Sequence, residues 1–151
     1  SVMKATESEF QTVFHDFERI IFTKNQLTCP KIMTDSERLG LCEEDPIAKR
    51  FNHTGVWFGS GSPPKVIKIR SMDTWHIMNV LTYCKKNQER FYLKALRSPK
   101  PKLSAQDVKT NSRFYFLNFL LPSPLCTSML KTLKHRMDDR TYNDFYNELI
   151  R

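Results

Sequence analysis

The amino-acid sequence predicts an α+β fold: a small mixed or antiparallel sheet, ferredoxin-like in part, packed by amphipathic helices and ending in helices at the C-terminus. Three observations carry this expectation. Lys65-Val66-Ile67-Lys68-Ile69-Arg70 alternates, with Ile67 and Ile69 on one face and Val66, Lys68 and Arg70 on the other. A half-buried strand needs that period of two. Phe10, Val13, Phe14, Phe17, Ile20 and Ile21 recur three and four apart, the stripe of an amphipathic helix. The same spacing returns near the end, in Leu125, Met129, Leu133 and Met137 and again in Tyr142, Phe145, Tyr146, Leu149 and Ile150.

The elements follow in order. Thr6-Glu7-Ser8-Glu9 has the form of a capping box and opens the Phe-rich helix, which ends near Asn25. Residues 27–33 hold a short strand that Pro30 confines to an edge. Residues 35–39 form one helical turn stopped by Gly40. Pro46-Ile47-Ala48-Lys49-Arg50-Phe51-Asn52 reads as a strand. Residues 53–64 read as a loop with Gly55, Gly59 and Gly61 and with Val56-Trp57-Phe58 at its centre. A Trp-Phe pair there either plugs a core or offers an aromatic platform, and plugging is the commoner outcome. The strand over 65–70 comes next. Ser71 then caps a helix with Asp73 in its first turn, Ile77, Val80, Leu81 and Cys84 as its buried stripe, and Lys85 and Lys86 at its C-terminal end. A strand over 90–96 would place Phe91, Leu93 and Ala95 inside and Arg90, Tyr92 and Lys94 outside.

Arg97, Lys100, Lys102, Lys109 and Arg113 then lie among Pro99, Pro101 and small polar residues, with Asp107 the only acid, which reads as a basic connection. Residues 113–121 read as an apolar strand, Ser123-Pro124 as a helix start, and Asp138 or Asp139 as the cap of a final helix. The organisation is a basic α+β module over 1–97, a connection over 98–112, and a strand plus two helices over 113–151, or one domain throughout 1–151.

The chain has 151 residues, 40% of them hydrophobic and 12% aromatic, enough for a core in one domain or two very small ones. Its net charge is +8 and its pI about 9.4, a balance that suits a polyanionic partner. No apolar run approaches the roughly 18 residues of a spanning helix. No secretory signal opens the sequence. Cys29, Cys42, Cys84 and Cys126 are dispersed, which fits reduced thiols in an intracellular protein, cytoplasmic or nuclear. The expectation is therefore no membrane.

Catalytic chemistry finds little support. His15, His53, His76 and His135 form no close pair with one another or with the cysteines, so zinc is not expected. Asp138-Asp139 is explained by capping. Gly59-Ser60-Gly61-Ser62-Pro63-Pro64 leads into a strand, whereas a phosphate cradle opens a helix. No Gly-x-Ser-x-Gly elbow occurs. The expectation is a binding protein, not an enzyme, with no metal and no cofactor.

The interleaved cations and aromatics point to nucleic acid. Phosphate contacts need cations, and sequence-tolerant contacts to bases need exposed aromatic faces. The candidates are Lys65, Lys68, Arg70, Lys85, Lys86, Arg90 and Lys94 for phosphates, and Tyr92 or Trp57 for bases, on RNA or another single strand. The alternative is a protein-interaction adaptor, viral or regulatory. It would use the Phe-rich first helix or the C-terminal Tyr/Phe helix for a protein partner or for self-association.

Pro46-Ile47-Ala48-Lys49-Arg50-Phe51-Asn52, a glycine loop, Pro64-Lys65-Val66-Ile67-Lys68-Ile69 and a helix ending in Lys85-Lys86 is similar to the RNA-binding modules in first-reading-frame proteins of LINE-type retrotransposons. The order strand, strand, helix, strand over residues 46–96 resembles the second half of a ferredoxin-like unit. The resemblance implies an RNA-recognition-type sheet that stacks bases, followed by a smaller C-terminal domain, at residues 113–151, that also contacts nucleic acid.

Overall fold

The computed structural model describes residues 32–151. The Phe-rich helix, Cys29 and most of the edge strand expected over 27–33 lie outside them. Asp35–Arg151 forms one unit, and its class is α+β: a two-stranded antiparallel sheet among helices, with helices at the C-terminus. None of the described helices is long and apolar enough to cross a membrane.

The unit begins with α1, Asp35–Leu39, which stops at Gly40 as expected. Gly40 has φ +75°, and a Cβ there would sit 2.9 Å from the Arg97 guanidinium and 3.0 Å from Pro101. The chain next to it is tied down by an antiparallel bridge between Leu41 and Leu96.

Helix α2 is Pro46–Phe51, where a strand was expected. The reason is local. Asp45 caps the helix by accepting from the Ile47 amide at 2.9 Å, and Pro46 occupies the first helical turn. Ile47 and Phe51, four apart, are the buried pair.

A hairpin follows, β1 Val56–Phe58 and β2 Val66–Lys68, with Trp57 opposite Ile67. The expected loop thus contains a strand, and Trp57 plugs the core at 7% exposure. The alternation read in residues 65–70 holds. Ile69 is buried, Ile67 half-buried, and Val66, Lys68 and Arg70 are exposed. The strand itself ends at Lys68, and Ile69–Ser71 make a 3-10 turn.

Helix α3, Thr74–Lys86, buries Ile77, Val80, Leu81 and Cys84, the stripe predicted for it. Its cap is Asp73, which accepts from the His76 amide at 2.7 Å, rather than Ser71. Asn87 turns the chain into α4, Gln88–Ala95. Residues 90–96 are therefore helical, and the expected strand, strand, helix, strand order becomes helix, hairpin, helix, helix. Phe91, Tyr92 and Ala95 are buried together, a helical spacing that period two does not allow.

The stretch expected as a basic connection carries α5, Ala105–Tyr115, opened by a full capping box between Ser104 and Asp107. The helix runs on through a π-helical turn, Phe116–Leu120. The apolar strand expected over 113–121 is thus helical. Buried Ser112, Tyr115, Phe116 and Leu120 mark its inner face. Helices α6, Pro124–Arg136, and α7, Asp139–Ile150, are capped by Ser123 and Asp138.

One core joins these pieces. Helix α5 packs on α4, α3 packs on α6, and α2 packs on both α4 and α6. Tyr92 and Tyr115 are fully buried within it, and each phenol finds an acceptor. Tyr92 donates to the Leu39 carbonyl at 2.6 Å, and Tyr115 donates to the Asp45 carboxylate at 2.6 Å. Cys84 and Cys126 are buried free thiols on α3 and α6, and Cys42 is a half-buried free thiol. The hydrogen bond with Cys126, together with burial, pushes the Cys84 thiol up and keeps it protonated.

Candidate nucleic-acid interface

Helix α3 divides the residues expected to bind nucleic acid. Lys68 and Arg70 lie just before its N-terminus, and Lys85, Lys86, Arg90 and Lys94 lie at or beyond its C-terminus. Residues 74–84 of the helix, eleven residues or roughly 16 Å, separate the two groups. Arg90 and Lys94 are four apart on the exposed side of α4, so they are not part of a sheet face. The single basic sheet expected from the sequence is replaced by two cationic ends of one helix.

The aromatic assignments change too. Tyr92 has no exposed surface, and Trp57 has 7%, so neither presents a face on which a base can stack. Burial pushes the Tyr92 phenol up, which keeps it a neutral donor inside the core. Among the described residues the exposed aromatics are Trp75, at 69%, and Tyr83, at 44%. They lie eight residues apart on α3, two positions of a stripe that continues through Lys86. Steps of four, four and three place Trp75, Asn79, Tyr83 and Lys86 on one face, with the two rings about 12 Å apart along the axis. Sequence reasoning missed Trp75 and Tyr83. The signal was present: once Ile77, Val80, Leu81 and Cys84 define the buried side of the helix, the same period puts Trp75 and Tyr83 on the outside.

The cations differ in how free they are. Lys85 Nζ donates to the Glu148 carbonyl at 2.6 Å, and Arg113 donates to the Ile150 carbonyl. Both cations cover the last turn of α7, where helix carbonyls lack partners. Lys85 is thus largely engaged in structure. Arg136 forks onto the Met72 and Arg70 carbonyls at 2.6 and 3.2 Å. It fixes the backbone of the 3-10 turn and leaves the Arg70 side chain exposed. Lys65, Lys68, Arg70, Lys86, Arg90 and Lys94 are all exposed and take part in none of the ion pairs among the described residues.

The wider charge pattern reinforces them. Residues 65–113 contain twelve Lys/Arg and only three Asp/Glu. Two of the three acids accept from backbone amides at helix starts: Asp73 caps α3, and Asp107 closes the capping box of α5. The remainder of the described chain is nearly balanced, so the positive potential is concentrated around α3 to α5.

Between the hairpin and α3 lies an open cleft of about 580 Å³. One side has Arg50, Ser60 and Lys65, and the other has His76, Asn79 and Tyr83. Trp57 borders it, with the Arg50 guanidinium 5.6 Å from the ring centre. Of the residues expected from the sequence, Lys65 and Trp57 meet here. A second cleft, about 460 Å³, is lined by Cys42, Glu43, Glu44 and Asp45, a composition that repels polyanions. Among the described residues no three His, Cys, Asp or Glu side chains converge as metal ligands would.

Comparison with known proteins finds no matching family model, no similar curated protein and no similar solved structure.

Proposed function

We propose that this chain binds single-stranded nucleic acid, RNA or DNA, along the outer face of α3. The observation that carries the reading is the joint placement of exposed Trp75 and Tyr83 with exposed cations at both ends of the same helix. Lys68 and Arg70 hold phosphates at one end, and Lys86, Arg90 and Lys94 hold them at the other. Bases lie against Trp75 and Tyr83, which accept any base because every base has a flat π face. A duplex hides those faces, so the site favours unpaired strands.

The test is a titration of labelled single strands and duplexes at several salt concentrations. Affinity for single strands should fall steeply with salt, with a slope of roughly −0.7 per phosphate contact. Trp75→Ala should weaken binding by about 1–3 kcal/mol at an unchanged salt slope. Absence of salt-sensitive binding by the wild-type protein would reject this function. The adaptor reading, with the aromatic face of α7 as the contact surface, would then take first place.

A further inference from the structure

Not all of the interface is indifferent to sequence. The cleft beside α3 is lined by three polar side chains that the packing of the fold does not use. Asn79 offers an amide with both a donor and an acceptor, and the Ser60 hydroxyl and the His76 ring stand with it. None of the three side chains has a hydrogen-bond partner among the described residues. Arg50 and Lys65, which join none of the ion pairs among the described residues, line the same space. Arg50 is positioned by its contact with Trp57 at 5.6 Å, which leaves its N–H edge free to donate. The volume, about 580 Å³, falls within the range of small-molecule sites.

We infer that this cleft seats one nucleoside monophosphate unit and reads its base. The inference rests on the single-strand reading above and deepens it. Arg50 and Lys65 take the phosphate. The Asn79 amide takes the base edge, and Tyr83 flanks the ring. A carboxamide matches adenine best, because it accepts from the exocyclic amine while donating to the neighbouring ring nitrogen. The base is then recognised at one position, while Trp75 contacts a neighbouring base without selecting it.

The unit has two possible sources, a strand or a free nucleotide, and the experiment separates them. Labelled oligoadenylate, oligocytidylate and oligouridylate are titrated against wild type, Asn79→Ala and Trp75→Ala, with adenosine monophosphate as competitor. Asn79 is an exposed helix position, so its replacement by Ala leaves the fold intact. Wild type should prefer oligoadenylate by roughly tenfold, the scale of one good amide-to-base contact. Asn79→Ala should bring the three affinities together at an unchanged salt slope. Trp75→Ala should weaken all three alike and keep the preference. Competition by adenosine monophosphate at concentrations near those of the oligomer would assign the pocket to a free nucleotide and support it.

Salt-sensitive binding with no base preference, or a preference that survives Asn79→Ala, overturns the pocket and leaves the single-strand function standing. If wild type binds no oligomer, that function fails. A rise in melting temperature with adenosine monophosphate, absent in Asn79→Ala, would then still support the pocket, and no rise would overturn both.

Discussion

Ile67 in β2 and Ile69 in the 3-10 turn that follows show how much two positions along the chain matter. Both point inward, but Ile69 is buried at 3% exposure while Ile67 is only half covered. Ile69→Ala should cost about 2–5 kcal/mol, the range for truncating a buried aliphatic. Ile67→Ala should cost roughly half as much, because less apolar surface leaves water there. Denaturant melts of the two variants check the order, and equal losses would contradict the deeper burial of Ile69. Tyr115 makes a different residue-scale claim. Burial, then the hydrogen bond to Asp45, pushes its phenol far above the usual value of 10.0. The folded state therefore favours the neutral form. Its contribution is complete below about pH 10 and is lost as pH rises beyond that. Melting temperature should fall above about pH 10, and less steeply in Tyr115→Phe, which cannot ionise. An unchanged alkaline slope in that variant would show that another group is responsible.

At the scale of elements, the loop between α1 and α2 is the most informative. Asp45 serves two structures at once: it caps α2 through the Ile47 amide and accepts from Tyr115 on α5. Asp45→Ala removes both bonds and leaves a buried phenol without its acceptor. The expected loss is about 2–3 kcal/mol, a cap plus an unsatisfied buried donor. Asp45→Asn keeps a capping oxygen and should recover part of it. If Asp45→Ala and Asp45→Asn melt together, the cap has no weight. Gly40 belongs to the same joint. Gly40→Ala adds a strained left-handed backbone, about 1–2 kcal/mol, to a collision with Arg97 and Pro101. Thermal unfolding of that variant should therefore begin well below wild type.

For the whole molecule, the issue is whether the two cationic ends act as one surface. They are separated by the length of α3, so a short strand reaches one end and a longer strand reaches both. Replacing Lys68 and Arg70 with Ala should flatten the salt slope by about one to two units on a long oligomer. Replacing Lys86 and Arg90 should do the same, and the two losses should add, because the sites share no contact. On a very short oligomer the losses should no longer add. Loss at only one end, on strands of any length, would confine the interface to that end.

Much of the framework was legible in the residues themselves. The end of α1 at Gly40, the buried stripe of α3, the alternation that points Ile67 and Ile69 inward, and the Ser123-Pro124 start of α6 all depend on local chemistry. Caps, left-handed glycines and hydrophobic periods act within a turn or two of chain, so they can be read without knowing the fold. Residues 90–96 and 113–121 are different. Each is a short apolar run whose period admits a strand or a helix, and the choice was made by what it packs against. Phe91 and Tyr92 are buried side by side because α2 covers one and the α1 carbonyl Leu39 holds the other. That choice moved Tyr92 from the proposed surface into the core and took Arg90 and Lys94 off the sheet. Charge was determined by composition alone, since Lys and Arg stay near water in almost any fold. The exposure of Trp75 and Tyr83 follows from the period of α3, whereas the burial of Trp57 and Tyr92 was decided by tertiary packing, because only the assembled core takes those rings out of water.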